Sequence, residues 1–244
     1  MGWVAKERVI SMGAQWRGGA RRMRAASARA RFCRRQLEIR VALPTRNVRR
    51  GDLRSGLVCA VANTATLYNF KVELADVDRG AYASLELRLA RHPSETAEYM
   101  LARLLAYCLE YQEGIAFTEG VSAVDEPAVV VRDLTGRITA WIEVGAPSPE
   151  RLHRGAKLAP RCAIYSQRDP AQVLALYAGA RIHRAEHIPL ISFGRGYLEA
   201  VAATLPRRGT LAVSRTEGQL YLEIDGVMHS TTLEEQPVLR PTGA

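Results

Sequence analysis

Apolar and polar residues alternate along two stretches near Thr64, "TATLYNFKVELADVD" and "YASLELRLARH". A period of two residues is typical of strands that bury one face. Residues 76–80 separate the two stretches and end in glycine, which favours a turn. The pattern therefore predicts an antiparallel strand pair at the start of the regularly patterned part of the chain.

The period then becomes helical. In "SETAEYMLARLLAYCLE" the apolar residues recur every three or four positions, which predicts one buried helical stripe of about four turns. "GIAFTEG" predicts a short strand. Residues 128–132 and 137–144 are rich in β-branched residues and flank a polar turn that ends in Gly136, which predicts a β-hairpin. "PSPERLHRGAKLA" predicts a second helix, with Ser148 as its cap and Pro149 as its first residue.

The last third of the chain alternates strands and helices before it becomes all-β. "RCAIYSQ" and "HIPLISFG" are predicted strands, and "AQVLALYAGA" and "GYLEAVAATL" are predicted helices. "TLAVSRTEGQLYLEIDGVMHSTT" predicts a three-stranded meander with two tight turns. From residue 94 to residue 167 the order is helix, three strands, helix, strand. This order predicts one α/β domain with a mixed sheet, which the strands on either side extend or cap.

Charge is distributed very unevenly. The first 60 residues hold 15 basic and 3 acidic side chains, whereas the other 184 residues hold 19 basic and 22 acidic ones. We interpret residues 1–60 as a disordered, arginine-rich leader: a nucleic-acid or membrane-surface arm, an organellar transit-like segment, or translated upstream sequence. Residues 61–238 form the predicted domain, and 239–244 a tail. The slightly acidic body gives no bulk electrostatic argument for nucleic acid, so such binding would depend on a local site.

The cysteines and the apolar segments predict neither a metal site, nor a disulfide, nor a membrane span. Cys33, Cys59, Cys108 and Cys162 lack metal-binding or disulfide spacing, which favours reduced thiols and a cytoplasmic protein. No run of about eighteen apolar residues is present, so no membrane span is expected. The sequence does not indicate an oligomeric state.

Two carboxylates flank the predicted hairpin. If the loop is centred between Leu134 and Thr135, partner numbers sum to about 268–270, and Asp125 and Glu143 are nearly opposite each other. Two carboxylates that close can share one cation, and oxygen ligands favour Mg²⁺. Alternation puts Glu143 on the face of Trp141, beneath a helix. The alternative is ordinary: Asp125 caps a turn before Pro127, and Glu143 is a cross-strand partner.

The segments "LARHPSETAEYMLARLLAY", "VDEPAVVVRDLTGRITAWIEVG" and "APSPERLHRGAK" resemble three blocks of the bacterial YaeQ family. HPSET, DEP and WIEVG occur in the family's order, and the resemblance runs from about residue 61 to residue 238. It implies a variation on the PD-(D/E)XK nuclease fold, with an added N-terminal strand pair and C-terminal meander. The family's usual opening corresponds to Val61, which favours an over-called start for the leader.

The resemblance also implies site residues. Asp125 and Glu143 take the two acid positions of a metal site, whereas Gly145 stands where nucleases have a lysine. A basic group on the next helix, Arg154 or Lys157, would then stabilise charge. Nuclease relatives often add an acid from the first helix, for which a helical wheel favours Glu98.

The same wheel makes Ser94 a hydrogen-bonding cap and turns Glu95 away from the core, where it would complement the helix dipole.

The residues and the resemblance together lead to two candidate functions. The first is a Mg²⁺-dependent phosphodiester hydrolase that acts on DNA, RNA or another phosphodiester. The second is a non-catalytic binding or regulatory module on the same fold.

Overall fold

Ten strands form one mixed sheet in a computed structural model that describes residues 65–118 and 125–239, all within the compact unit Val58–Ala244. The leader interpretation and residues 240–244 of the tail lie outside the described residues. The strands are β1 Thr66–Asp76, β2 Ala81–Arg91, β3 Ile115–Phe117, β4 Val129–Arg132, β5 Ile138–Val144, β6 Arg161–Ser166, β7 Pro189–Phe193, β8 Arg208–Thr216, β9 Gln219–Ile224 and β10 Val227–Pro237. The predicted mixed α/β class is confirmed.

The last strand joins two parts of the sheet, whose order is β2-β1-β8-β9-β10-β7-β6-β5-β4-β3. Residues 227–232 of β10 pair with β9, and residues 233–237 pair with β7. We call β2, β1, β8, β9 and the start of β10 the meander half, and the remainder the core half. The predicted strand pair and meander are confirmed, and a parallel β1–β8 pairing joins them.

Four helices pack on the core half: α1 Ala97–Leu109, α2 Pro149–Leu158, α3 Pro170–Ala175 and α4 Tyr197–Thr204. The Ser148 hydroxyl accepts a hydrogen bond from Arg151 N, and Pro149 is the first helical residue, as predicted. Helix α3 is shorter than predicted, because the chain turns after Ala175 through Gly179, whose φ is +75°. Among the described residues, no helix is long and apolar enough to cross a membrane.

The core half buries both of its faces. One face of β5, with Ala140, Ile142 and Val144, packs into a cluster with α1, α4 and the buried positions of the meander half. The other face carries Trp141 into a second cluster with Leu152 of α2 and with α3. Strand alternation therefore directs Glu143 toward α2, as predicted.

The hairpin register differs from the prediction. Val129 pairs with Ile142, Val130 with Trp141 and Val131 with Ala140, and the register shifts between Val131 and Arg132. Strand β4 begins only at Val129, so Asp125 precedes it and has no cross-strand partner. The predicted direct pairing of Asp125 with Glu143 is wrong, because the irregularity adds an offset and Pro127 keeps the preceding chain out of the ladder.

Candidate functional site

Glu143 lies under α2 in a closely packed polar pocket. Its side chain is 3% exposed, and its Oε1 accepts hydrogen bonds from Trp141 Nε1 and Arg151 Nε, each at 2.7 Å. Helix α2 approaches because Gly155 faces the indole: a Cβ there would lie 2.4 Å from Trp141 Cδ1. The glycine therefore allows the contact that brings Arg151 over Glu143.

Burial dominates the electrostatics of this carboxyl. It raises the pKa of Glu143 above its ordinary value, although the hydrogen bonds from Arg151 and Trp141 act in the opposite direction. Burial also raises the pKa of the neighbouring Tyr99 to about 12, and the charge of Glu143 adds to that shift. The pocket thus combines a partly compensated carboxyl with a phenol that stays protonated.

Asp125 lies on the protein surface. Its side chain is 83% exposed and forms an ion pair with Arg154, one turn beyond Arg151 on α2. Arg151 also donates through Nη2 to the main-chain carbonyl of Glu126. The structure therefore brings Asp125 and Glu143 to the same helix, and each carboxylate is bound to its own arginine.

Gly145 stands at the position where the resemblance implies a lysine, and Lys157 is one of the two basic residues expected to replace it. Lys157 is exposed in the last turn of α2, and it forms no ion pair within the described ranges. Gly145 has φ +86°, a conformation that a lysine would adopt only with strain. An ideal Cβ at this position would also lie 3.4 Å from Tyr99 Cε2. The local backbone therefore disfavours a lysine at this position.

The start of α1 differs from the prediction. Thr96, not Ser94, caps the helix by accepting a hydrogen bond from Tyr99 N, and the Ser94 hydroxyl lies 2.6 Å from His92 Nδ1. The predicted capping role of Ser94 is wrong because the helix begins at Ala97. Glu98 is half-buried and lines a cavity of about 200 Å³ with Gln167 and Glu199; Asp125 and Glu143 are absent from its described lining.

Glu95 is the residue that the helical wheel misplaced. Its side chain is 1% exposed, lies 3.2 Å from Arg103 Nη2, and accepts a hydrogen bond from His92 N at 3.0 Å. Because Glu95 precedes the cap, helical periodicity does not apply to it, and the predicted outward orientation is wrong. Burial raises the pKa of Glu95, and its charge also acts on Tyr99, the phenol beside Glu143. The sequence signal for this contact is the short spacing between His92 and Glu95 in the HPSET motif, which allows the Glu95 carboxylate to accept from His92 N.

The described arrangement does not fit a resident Mg²⁺. Within residues 65–118 and 125–239, no group of three or more acidic, histidine or cysteine side chains is placed to hold a metal ion. A cation at Glu143 would meet the guanidinium of Arg151 and the indole N–H of Trp141. Oxygen-rich coordination is what Mg²⁺ requires, and here two donor groups occupy the carboxylate instead.

Comparisons with known proteins agree on a family. Residues 61–233 match the family model described as YaeQ protein. The chain is 32% identical to the YaeQ proteins of Salmonella typhi, over 66% of this chain and 90% of that protein, and of Escherichia coli K12, over 68% and 92%. Crystal structures of YaeQ from Pseudomonas syringae (34% identity, 70% of this chain and 95% of that chain) and Xanthomonas axonopodis pv. citri (29%, 73% and 100%) each give a TM-score of 0.65.

Proposed function

Because the chain belongs to the YaeQ family, we propose that it is a non-catalytic binding module on a PD-(D/E)XK nuclease-like core, and that α2 carries its ligand surface. The element order α1, β3, β4, β5, α2, β6 supports such a core. In it, an antiparallel hairpin is followed by the parallel strand β6, and α1 and α2 pack on opposite faces.

The observation that carries this proposal is the contact between Arg151 and Glu143. Oε1 of Glu143 already accepts hydrogen bonds from the Arg151 guanidinium and the Trp141 indole N–H, each at 2.7 Å, so two protein donors engage this carboxylate. The carboxylate in turn fixes the guanidinium, which also binds the Glu126 carbonyl. We infer that Glu143 serves as an anchor for α2 and not as a metal ligand.

Exposed cations on α2 indicate the class of ligand. Arg154 and Lys157 face solvent one turn apart, and Asp125 is the carboxylate bound to Arg154. An exposed ion pair contributes only about 0–1 kcal/mol, so a phosphate can replace Asp125 at small cost. A planar guanidinium binds phosphate oxygens through two parallel hydrogen bonds. We therefore propose a phosphate-bearing ligand, with nucleic acid as the first candidate.

Binding and cleavage assays on single- and double-stranded DNA and RNA test the proposal. We expect binding without hydrolysis in Mg²⁺ or Mn²⁺, and weaker binding in Arg154→Ala/Lys157→Ala than in the charge-matched control Arg137→Ala/Arg181→Ala. The full chain is used throughout, so any contribution of residues 1–60 is common to all variants. Equal binding by both double variants would contradict the role of α2.

The hydrolase remains a second candidate, for one reason. Arg151 and Arg154 are three residues apart on α2, so the carboxylates they bind, Glu143 and Asp125, reach the same side of one helix. In this candidate Glu98 would be the third acid and Arg154 or Lys157 the basic group, and the three acids would have to come together on binding Mg²⁺, because the described residues do not group them. Metal-dependent cleavage that is lost in both Asp125→Ala and Glu143→Ala would establish the hydrolase and overturn the module.

A further inference from the structure

The outer face of the meander half carries an unpaired group of cations. Arg88 of β2 lies opposite Asn69 of β1, and Asn69 lies opposite Arg208 of β8. Lys71 follows on the same face, two residues along β1. Arg88, Asn69, Lys71 and Arg208 line a cleft of about 530 Å³. In the described ranges, none of the three cations forms an ion pair.

The spacing of these groups suits a phosphate. Neighbouring strands lie about 4.8 Å apart, so the α-carbons of Arg88 and Arg208 are separated by about 10 Å, with the small Asn69 between them. Two arginine side chains are long enough to contact one phosphate from either side of that gap. Glu86 opposes Lys71 across the strand pair, so the excess charge of the cleft is confined mainly to the arginine row.

A row of small and aromatic residues crosses the same face farther along the strands. Tyr82 lies opposite Ala75, Ala75 opposite Ser214, and Ser214 opposite Tyr221. Tyr82 is 65% exposed and Tyr221 is 38% exposed. The α-carbons that carry the two rings are therefore separated by three strand spacings, about 14 Å, with the short side chains of Ala75 and Ser214 between them. This row lies six residues, or about 20 Å, from the arginine row.

We propose that this face, Arg88–Asn69–Arg208 with Tyr82 and Tyr221, binds single-stranded nucleic acid. Exposed aromatic rings that stack bases and cations that hold phosphates are the two parts of such a surface, and on this face about 20 Å of sheet separates them. Phosphates are the groups that the unpaired cations attract. The surface is separate from α2 and does not depend on the function proposed for that helix.

Acidic residues limit the strength of binding. Glu73 and Glu223 face the same side between the two rows, and Glu73 accepts a hydrogen bond from Ser84. On single-stranded nucleic acid the two arginines correspond to a salt slope of about −1.4, from about −0.7 per phosphate contact. The ligand is thus held by few phosphates and by stacking.

Photocrosslinking of the full chain tests the proposal at the residues themselves. The probe is a single-stranded oligonucleotide of about ten nucleotides, within the usual site size, with bromouracil at alternate positions. We expect crosslinked peptides that contain Tyr82 and Tyr221. Crosslinks confined to residues 1–60, or to α2, would overturn the proposal, and those on α2 alone would still support the function proposed for that helix.

Binding by the variants gives the second readout. Arg88→Ala/Arg208→Ala should make the salt slope less steep by about 1.4, at about 0.7 for each lost contact, whereas Arg137→Ala/Arg181→Ala should leave the cleft's contribution intact. Tyr82→Ala/Tyr221→Ala should reduce affinity tenfold or more, with little change in slope. If the tyrosine variant instead alters self-association and leaves oligonucleotide binding unchanged, the face is an interface between copies and the proposal fails.

Discussion

Buried carboxylates in and around the core half contrast with exposed cations in the meander half. Glu95, Glu110 and Glu143 are each at most 3% exposed and bound to an arginine. Lys71, Arg88 and Arg208 face solvent and form no ion pair among the described residues. The buried carboxylates stabilise the fold through these ion pairs, whereas the exposed cations can contact a ligand. Four substitutions test this difference, from the largest expected effect to the smallest.

Arg103→Ala should have the largest effect. It leaves Glu95 buried without its cation, and such a loss typically destabilises by about 3–5 kcal/mol. Urea unfolding gives the free-energy change. The matched control is Arg154→Ala, whose partner Asp125 is exposed and where about 0–1 kcal/mol is expected. Equal losses in the two variants would contradict the contrast between buried and exposed pairs.

Gly155→Ala should destabilise by about 1–3 kcal/mol, because the new methyl group would overlap the Trp141 ring and force α2 outward. The shift would also lengthen the Arg151–Glu143 contact. Lys157→Ala on the same helix is the control, since that side chain is exposed. Thermal unfolding of both variants distinguishes the outcomes, and an unchanged melting temperature in Gly155→Ala would refute the close packing.

Glu143→Gln should remove a pH dependence. Burial raises the folded-state pKa of Glu143 above its ordinary 4.5, so the folded protein holds this proton more tightly than the unfolded chain. The stabilisation that the proton on Glu143 gives the folded state is therefore complete below pH 4.5, and it is lost as pH rises through the folded-state pKa. The stability of the variant relative to the native protein should rise over that window in urea titrations. Glu199→Gln, at an exposed position, is the matched control for the loss of one carboxyl group.

Arg88→Ala should have the smallest effect on stability, within about 0.5 kcal/mol, because the side chain is exposed and unpaired in the described region. Chemical denaturation measures this change. A loss above 1 kcal/mol would mean that the cation supports the fold, and the meander half would no longer differ from the core half.

Local sequence patterns predicted most elements but not how they combine. Alternation located β1, β2 and the meander, and the Ser148–Pro149 signal located the start of α2. The parallel pairing of β1 with β8 has no local signature, because the paired segments are far apart in sequence. The division of β10 between two neighbours is likewise set by tertiary packing.

The site was predicted in part. Side-chain parity correctly oriented Glu143 toward α2, but the partner that fills the pocket, Arg151, was not identified. A helix surface contains several arginines, and only the angle of α2, set by Gly155 against Trp141, selects one of them. Glu95 was misplaced because a wheel assumes that the helix has already begun. Prediction failed where the local backbone geometry of a few residues determines which side chains are in contact.

The long-range β1–β8 pairing has a consequence for synthesis. Asn69 pairs with Arg208, which is made 139 residues later. At translation rates of about 5–20 residues per second, the β1–β2 hairpin waits roughly 7–28 s for its neighbour. During that time β1 has an open edge that can pair with other chains. Aggregation of nascent protein should therefore respond to translation speed, and to chaperones that cover this edge.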